Sequence, residues 1–180
     1  ASDVYKRQVV TKASVKSSDG LEKIVKIVMT DGIENDNGYD GRFSIMLEDN
    51  SGNKLAEESL DNLYSVREEN KLHFNKDFEV HISDYNNDSI NEISVGQDIE
   101  VSDENVKAAL GKKAKNKKEK NIKSLQEYYL WNIEGNDLRR ASESIYLTGK
   151  SDNSVNSCEL KIPENTTCLL YTTDAADDLI

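Results

Sequence analysis

Short runs of alternating apolar and polar residues dominate the chain, and this period of two predicts β-strands. The clearest run covers residues 42–48, where Phe43, Ile45 and Leu47 share one face. Other strands are predicted over residues 9–15, 22–29, 54–60, 78–82, 93–95, 128–133, 138–142, 144–148 and 158–162. Many short strands separated by turns predict a mainly β domain, built as an antiparallel sheet, a sandwich or a partial propeller-like blade.

Turn-forming residues separate several of these strands. Residues 49–52 contain Asp, Asn, Ser and Gly, and they predict a hairpin between the strands at 42–48 and 54–60. A second turn is predicted at Gly135 and Asn136. The polar, glycine-containing stretch 31–41 is expected to be a loop.

The stretch 102–125 differs in character from the rest of the chain. Ser102 is a good helix N-cap, and Asp103 and Glu104 place acids in the first turn that follows it. Lysines then replace nearly all apolar residues. We therefore expect one short helix that continues into an exposed, lysine-rich insertion. The lysines are interpreted as a solvated face, the alternative being a contact with an anionic partner.

Both ends of the chain resemble a translated sequencing adapter. Residues 1–8 match one reading frame of a transposase-based adapter, and residues 168–180 begin with a match to its reverse complement. We expect adapter-derived tails at 1–8 and 168–180, and a single mainly β domain fragment at 9–167. Cys168 then belongs to a tail, which leaves Cys158 as a lone thiol that indicates no redox compartment.

The chain is acidic, and this charge narrows the classes of partner. The formal net charge is −11, so nucleic acids and anionic lipids are disfavoured while divalent cations are not. Hydrophobic residues make up 36% of the sequence and cluster in the predicted strands, which favours a folded domain over disorder. No apolar run is long enough for a membrane-spanning helix, so membrane insertion is not expected within 9–167.

A nine-residue segment that begins at Asp84 carries the main chemical signal. Asp84, Asn86 and Asp88 occupy its positions 1, 3 and 5, and Glu92 occupies position 9. A chain that turns around a calcium ion presents alternate residues to it, and the carbonyl of Ile90 at position 7 continues this series. The spacing therefore favours calcium, a hard cation that takes roughly six to eight oxygen ligands.

Residues 80–96 resemble the calcium-loop repeat of the FG-GAP and VCBS type. Such repeats occur in integrin-like β-propellers and in many secreted or surface-attached bacterial proteins. The resemblance implies a bound Ca²⁺, and a ligand set of two aspartates, one glutamate and one asparagine predicts weak affinity, with a dissociation constant of about 10⁻⁴–10⁻³ M. The implied ligands are the side chains of Asp84, Asn86, Asp88 and Glu92 and the carbonyl of Ile90.

The loop departs from the repeat pattern in three respects. Ser89 stands where glycine usually adopts a positive φ, which is expected to cost about 1 kcal/mol. Glu92 is longer than the usual aspartate, and only one good copy of the repeat is present. The alternative interpretation is a turn without metal, in which Asp and Asn side chains bond to their own backbone.

Other candidate residues are weaker. His73 and His81 have no ligand or catalytic spacing around them, so neither metal binding nor catalysis is expected of them. Tyr129 and Trp131 share one face of their predicted strand and Tyr128 lies on the other. One of these faces must belong to the core, so a sugar-stacking platform is the less favoured interpretation.

Taken together, these patterns predict a non-catalytic, calcium-stabilised β domain of an exported or surface-anchored bacterial protein. It would be extracellular or at the cell surface, as a scaffold or interaction module for a protein or cell-wall partner. The alternative is an extracytoplasmic sensor or accessory domain of a larger membrane-bound receptor or enzyme. No catalytic residue is predicted.

Overall fold

The computed structural model describes residues 7–65, 71–85, 87–110, 122–152 and 155–161, with only the backbone described from residue 150 onward. These residues form two antiparallel β-sheets and a single short helix. The predicted mainly β class is therefore confirmed. The predicted tails lie outside the described residues except for Arg7 and Gln8, and most of the lysine-rich insertion also lies outside them.

The first sheet contains β1 (Gln8–Lys16), β2 (Glu22–Asn35), β3 (Gly38–Glu48), β4 (Lys54–Ser59) and β5 (Leu72–Asn75). Its order is β1-β2-β3-β4, and β5 also pairs with β3. Residues 44–48 of β3 pair with β4, whereas residues 38–41 pair with β5. The predicted hairpin between residues 42–48 and 54–60 is confirmed by the β3–β4 pairing.

The prediction of a loop at residues 31–41 is wrong, because β2 and β3 continue through this segment as one long hairpin. Gly32 faces Gly41 across this hairpin. A Cβ on Gly32 would lie 2.2 Å from the carbonyl oxygen of Asp40, and one on Gly41 would lie 2.1 Å from that of Asp31. Glycine here permits a close approach of two extended strands, although the same residue type usually marks a turn.

The second sheet contains β6 (His81–Ser83), β7 (Glu92–Asp98), β8 (Ile122–Glu134), β9 (Asp137–Arg140), β10 (Ile145–Asp152) and β11 (Val155–Lys161). Its order is β11-β10-β8-β7-β6, and β9 pairs with β8. The predicted turn at Gly135 and Asn136 is confirmed, since β8 and β9 pair around it. The strand predicted at 78–82 is shorter than expected, because regular pairing begins only at His81.

The single described helix, α1 (Asp103–Leu110), precedes β8. The hydroxyl of Ser102 accepts a hydrogen bond of 3.2 Å from the backbone NH of Asn105, so the predicted N-cap is confirmed. Ala109 packs with Ile99, Leu125 and Tyr146 in a small apolar cluster. This cluster holds the helix against the second sheet.

The two sheets enclose one hydrophobic core. Alternate residues of β2, β3, β7 and β8 point into it, as the period of two requires. Its buried members include Val25, Ile27, Met29, Phe43, Ile45 and Leu47 from the first sheet and Ile93, Val95, Tyr129, Trp131 and Ile133 from the second. Of the predicted β architectures, two packed sheets sharing a core correspond to a sandwich rather than a single blade.

Polar contacts add to the apolar core between the sheets. The indole Nε1 of Trp131 donates a hydrogen bond of 2.7 Å to Glu58 on β4. The hydroxyl of Tyr64 donates one of 2.9 Å to the carbonyl of Val95 on β7. The described helix lacks the length and the apolar character that crossing a bilayer requires.

Candidate functional site

The acidic loop connects β6 to β7 at the edge of the second sheet. Ser83 and Glu92 pair across these two strands, so the residues between them form the tip of a hairpin. β6 has β7 as its neighbour at the end of the sheet order. The loop therefore projects from a short edge strand.

Asp84 and Asp88 organise the backbone of the loop. The two carboxylate oxygens of Asp84 accept hydrogen bonds from the backbone NH groups of Asp88, at 3.0 Å, and Ser89, at 2.8 Å. Asp88 accepts one of 2.8 Å from the NH of Ile90. Such bonds are those of an Asx-type turn. Each carboxylate oxygen has two lone pairs, so accepting a hydrogen bond does not by itself prevent it from binding a cation.

Two residues of the loop adopt the left-handed backbone conformation. Asn87 has a φ of 59° and Ser89 a φ of 69°. Asparagine tolerates this region comparatively well. In serine the Cβ crowds the following carbonyl oxygen and destabilises this conformation, whereas glycine has no Cβ. The positive φ expected at Ser89 is thus confirmed.

Glu92 lies at the base of the loop and is almost fully buried, with 2% of its surface exposed. Its Oε2 accepts a hydrogen bond of 2.8 Å from the backbone NH of Tyr85, while its buried Oε1 has no hydrogen-bond partner. Burial raises the pKa of Glu92, and the nearby charges of Asp88 and Asp84 raise it further. Glu92 thus lies within electrostatic range of two further carboxylates, and it has an unsatisfied buried oxygen.

The structure describes four of the five predicted calcium ligands. Asp84, Asp88, Ile90 and Glu92 all belong to the same short loop, and Asn86 lies outside the described residues. Within the described part of the chain, no group of three or more His, Cys, Asp or Glu side chains already has a metal-binding arrangement. Asp84, Asp88 and Glu92 are all described, and their three carboxylates do not form such a group. The ligand set therefore stays a prediction.

Asn132 is a residue that sequence reasoning missed. Its Oδ1 is the other buried side-chain oxygen without a hydrogen-bond partner among the described residues. Asn132 lies on β8, about forty residues beyond the loop. Only the pairing of β7 with β8 brings it near the loop, and a spacing motif cannot reveal such a neighbour.

A polar cleft of about 690 Å³ is lined by residues of both sheets and brings His73 and His81 to the same surface. The Nδ1 of His73 lies 2.7 Å from Oδ1 of Asp40, and its Nε2 lies 3.0 Å from Oδ1 of Asn75. Burial lowers the pKa of His73, but the hydrogen bonds to these two residues and the negative charges of Asp40 and Asp98 outweigh it, so the net pKa is raised. The two histidines were isolated in sequence and share a surface in the fold.

The aromatic residues of β8 divide as their alternation requires. Trp131 is fully buried and Tyr129 nearly so, and both belong to the core, so they cannot form a sugar-stacking platform. Burial, in the first place, raises the pKa of Tyr129 to about 12. Tyr128 is half-buried on the opposite face and lines the polar cleft.

No family model matches this chain, and neither a curated protein nor a solved structure matches it. The function of the loop must therefore be inferred from its own residues and their geometry.

Proposed function

We propose that the loop from Asp84 to Glu92 binds a calcium ion that stabilises a non-catalytic β domain. The observation that carries this proposal is the buried, unpartnered Oε1 of Glu92, a residue within electrostatic range of Asp84 and Asp88. A buried polar atom without a partner costs about 1–3 kcal/mol, and more when it is charged. A bound cation would satisfy this oxygen and offset the repulsion among the three carboxylates.

The residues present fit calcium by their chemistry. Asp84, Asp88 and Glu92 supply carboxylates, and Asn86 and Ile90 add an amide and a carbonyl oxygen. Hard divalent cations prefer such all-oxygen ligands, whereas the soft metals prefer thiolates and imidazoles. The ion would cross-link the loop, while the hydrogen bonds accepted by Asp84 and Asp88 hold the loop backbone in place.

The stabilisation should be modest but measurable. For a dissociation constant in the extracellular range, calcium at about ten to a hundred times that constant adds about 1.4–2.7 kcal/mol to the free energy of unfolding. In a domain of this size, such a gain raises the melting temperature by roughly 3–10 °C.

The experiment is a calcium titration by calorimetry, combined with thermal unfolding in calcium and in EDTA. We expect the parent protein to release or absorb heat and to melt at a higher temperature in calcium. The double variant Asp84→Ala/Asp88→Ala should lose both responses. Asp49→Ala is the matched control, because Asp49 also accepts backbone hydrogen bonds in a turn but lies in the β3–β4 connection. This control should melt lower in both buffers and keep the calcium response.

Equal melting temperatures of the parent in EDTA and in calcium at about ten times the highest expected dissociation constant would show that the loop is an ion-free turn. A calcium response that survives in the double variant would place the ion elsewhere in the protein. Terbium provides a second readout, since Tyr85 lies within the loop and can sensitise the emission of a lanthanide bound there.

We further propose that this domain belongs to an exported or surface-anchored bacterial protein, as a scaffold or interaction module. The support is the resemblance of residues 80–96 to repeats of such proteins, and the weak calcium affinity predicted from the ligand set would suit extracellular calcium. The sequence of the gene and of its flanking regions tests this proposal. An export signal or a surface anchor is the expected finding, whereas membrane spans joined to a kinase or protease motif would favour the accessory-domain alternative.

A further inference from the structure

The described residues contain two buried side-chain oxygens without hydrogen-bond partners, and both lie at the base of the acidic loop. They are Oε1 of Glu92 on β7 and Oδ1 of Asn132 on β8. Buried polar groups in folded proteins nearly always have partners, so each exception requires an explanation. Because the two exceptions lie in one place, a single explanation should account for both.

The strand register places these two residues side by side. Ile93 pairs with Trp131, and Ser94 pairs with Leu130. The antiparallel register, continued by one residue, sets Glu92 opposite Asn132. Ile93 and Trp131 point into the core, so Glu92 and Asn132 point together to the other face of the sheet.

Two adjacent oxygen acceptors without a donor between them favour a positively charged neighbour. Both are hard oxygen ligands, and the carboxylate lies against the calcium loop through its bond to the NH of Tyr85. We infer that Asn132 supplies a calcium ligand from β8, outside the loop sequence. This inference rests on the calcium binding proposed above.

Such a ligand changes what the ion stabilises. A loop that binds calcium with its own residues strengthens only the β6–β7 hairpin. A ligand from β8 ties this hairpin to the strand that also pairs with β7, β9 and β10. The ion then fastens the edge of the second sheet to its centre.

The test compares three variants by calcium calorimetry and by unfolding in EDTA. Asn132→Leu removes the oxygen and should weaken calcium binding by about tenfold, the usual effect of disturbing a metal's surroundings. Asn132→Asp adds a charged ligand and should tighten binding, while its repulsion with Glu92 lowers the melting temperature in EDTA. Asn87→Asp is the matched control, because it adds the same charge to the loop at a position that the ligand spacing does not use. This control should tighten binding less than Asn132→Asp, above all at high salt, where long-range attraction is screened.

The outcomes separate the two proposals. A parent that binds no calcium overturns both the proposed function and this inference. A parent that binds calcium, with Asn132→Leu binding equally well and Asn132→Asp no tighter than Asn87→Asp, overturns the role of Asn132 alone. The amide of Asn132 could instead donate its NH₂ group to Glu92. In that case both Asn132 variants will be less stable than the parent in EDTA, and Asn132→Asp will not bind calcium more tightly. This result also overturns the role of Asn132 as a calcium ligand.

Discussion

Ser89 is the loop residue with the least favourable backbone conformation for its type. Its φ of 69° lies in the left-handed region, where a Cβ crowds the following carbonyl. Ser89→Gly should therefore raise the free energy of unfolding by about 0.5–1 kcal/mol, because relief of this crowding exceeds the added flexibility of the unfolded chain. Urea unfolding in EDTA measures the difference without any contribution from calcium.

Ser83→Gly is the matched control for that substitution. Ser83 is exposed and lies in the extended strand β6, where glycine brings only its entropic cost. We expect this variant to lose about 0.5–1 kcal/mol. A loss of stability in both variants would mean that the serine at position 89 is not strained.

At the scale of single residues, sequence spacing predicted the loop but not its surroundings. The alternation of Asp84, Asn86 and Asp88 is local and can be read directly. The burial of Glu92 cannot, because it depends on how β7 packs within the sheet. The same holds for Asn132, which becomes a neighbour of the loop only through strand pairing.

At the scale of elements, His73 connects three strands. It lies on β5, its ring contacts Asp40 on β3, and its backbone NH donates a hydrogen bond of 3.2 Å to the Oε1 of Gln97 on β7. Because its folded-state pKa is raised, protonation of His73 favours the folded protein. The stabilisation is complete below the unfolded pKa of about 6.5 and is lost as the pH rises through the folded-state pKa.

We predict that the stability difference between the parent and His73→Gln decreases as the pH rises from about 6 to about 8. The imidazole is 43% exposed, so solvent screening limits the effect to about 0.5 kcal/mol. Urea unfolding at several pH values measures it, and the NMR titration of His73 gives the folded-state pKa directly. His81→Gln keeps the Asp40–His73 contact and should keep the pH dependence. If the stability difference between the parent and His73→Gln stays constant or grows with pH, protonation of His73 does not stabilise the folded protein.

Element boundaries were predictable where the local signals agreed. The N-cap at Ser102 and the turn at Gly135 combine favourable residues with adjacent apolar patterns, and both are present. The β2–β3 hairpin extends through a glycine-rich segment, where glycine permits an approach of the two strands that is too close for a Cβ. β5 was missed because it has four residues and gains its stability from pairing with β3, a contact that local sequence does not contain.

At the scale of the whole molecule, one core joins both sheets, and Trp131 lies at their junction. It is the only tryptophan of the chain, it is fully buried, and its indole bonds across to Glu58 on β4. Neither sheet can keep its inner face buried without the other, so the sheets should unfold together. Sequence predicted the strands that form this core, but not which of them face each other, because that depends on long-range packing.

We therefore predict one cooperative transition. The fluorescence of Trp131 and the far-ultraviolet circular dichroism of the strands should change with the same midpoint on heating. Calcium should shift both midpoints equally, even though its proposed site lies at the edge of one sheet, because a ligand of the native state stabilises the whole cooperative unit. Asp84→Ala/Asp88→Ala is the control, in which calcium should shift neither midpoint. Two separate midpoints, or a calcium shift seen by circular dichroism but not by Trp131, would show that the second sheet unfolds independently of the core that it shares with the first.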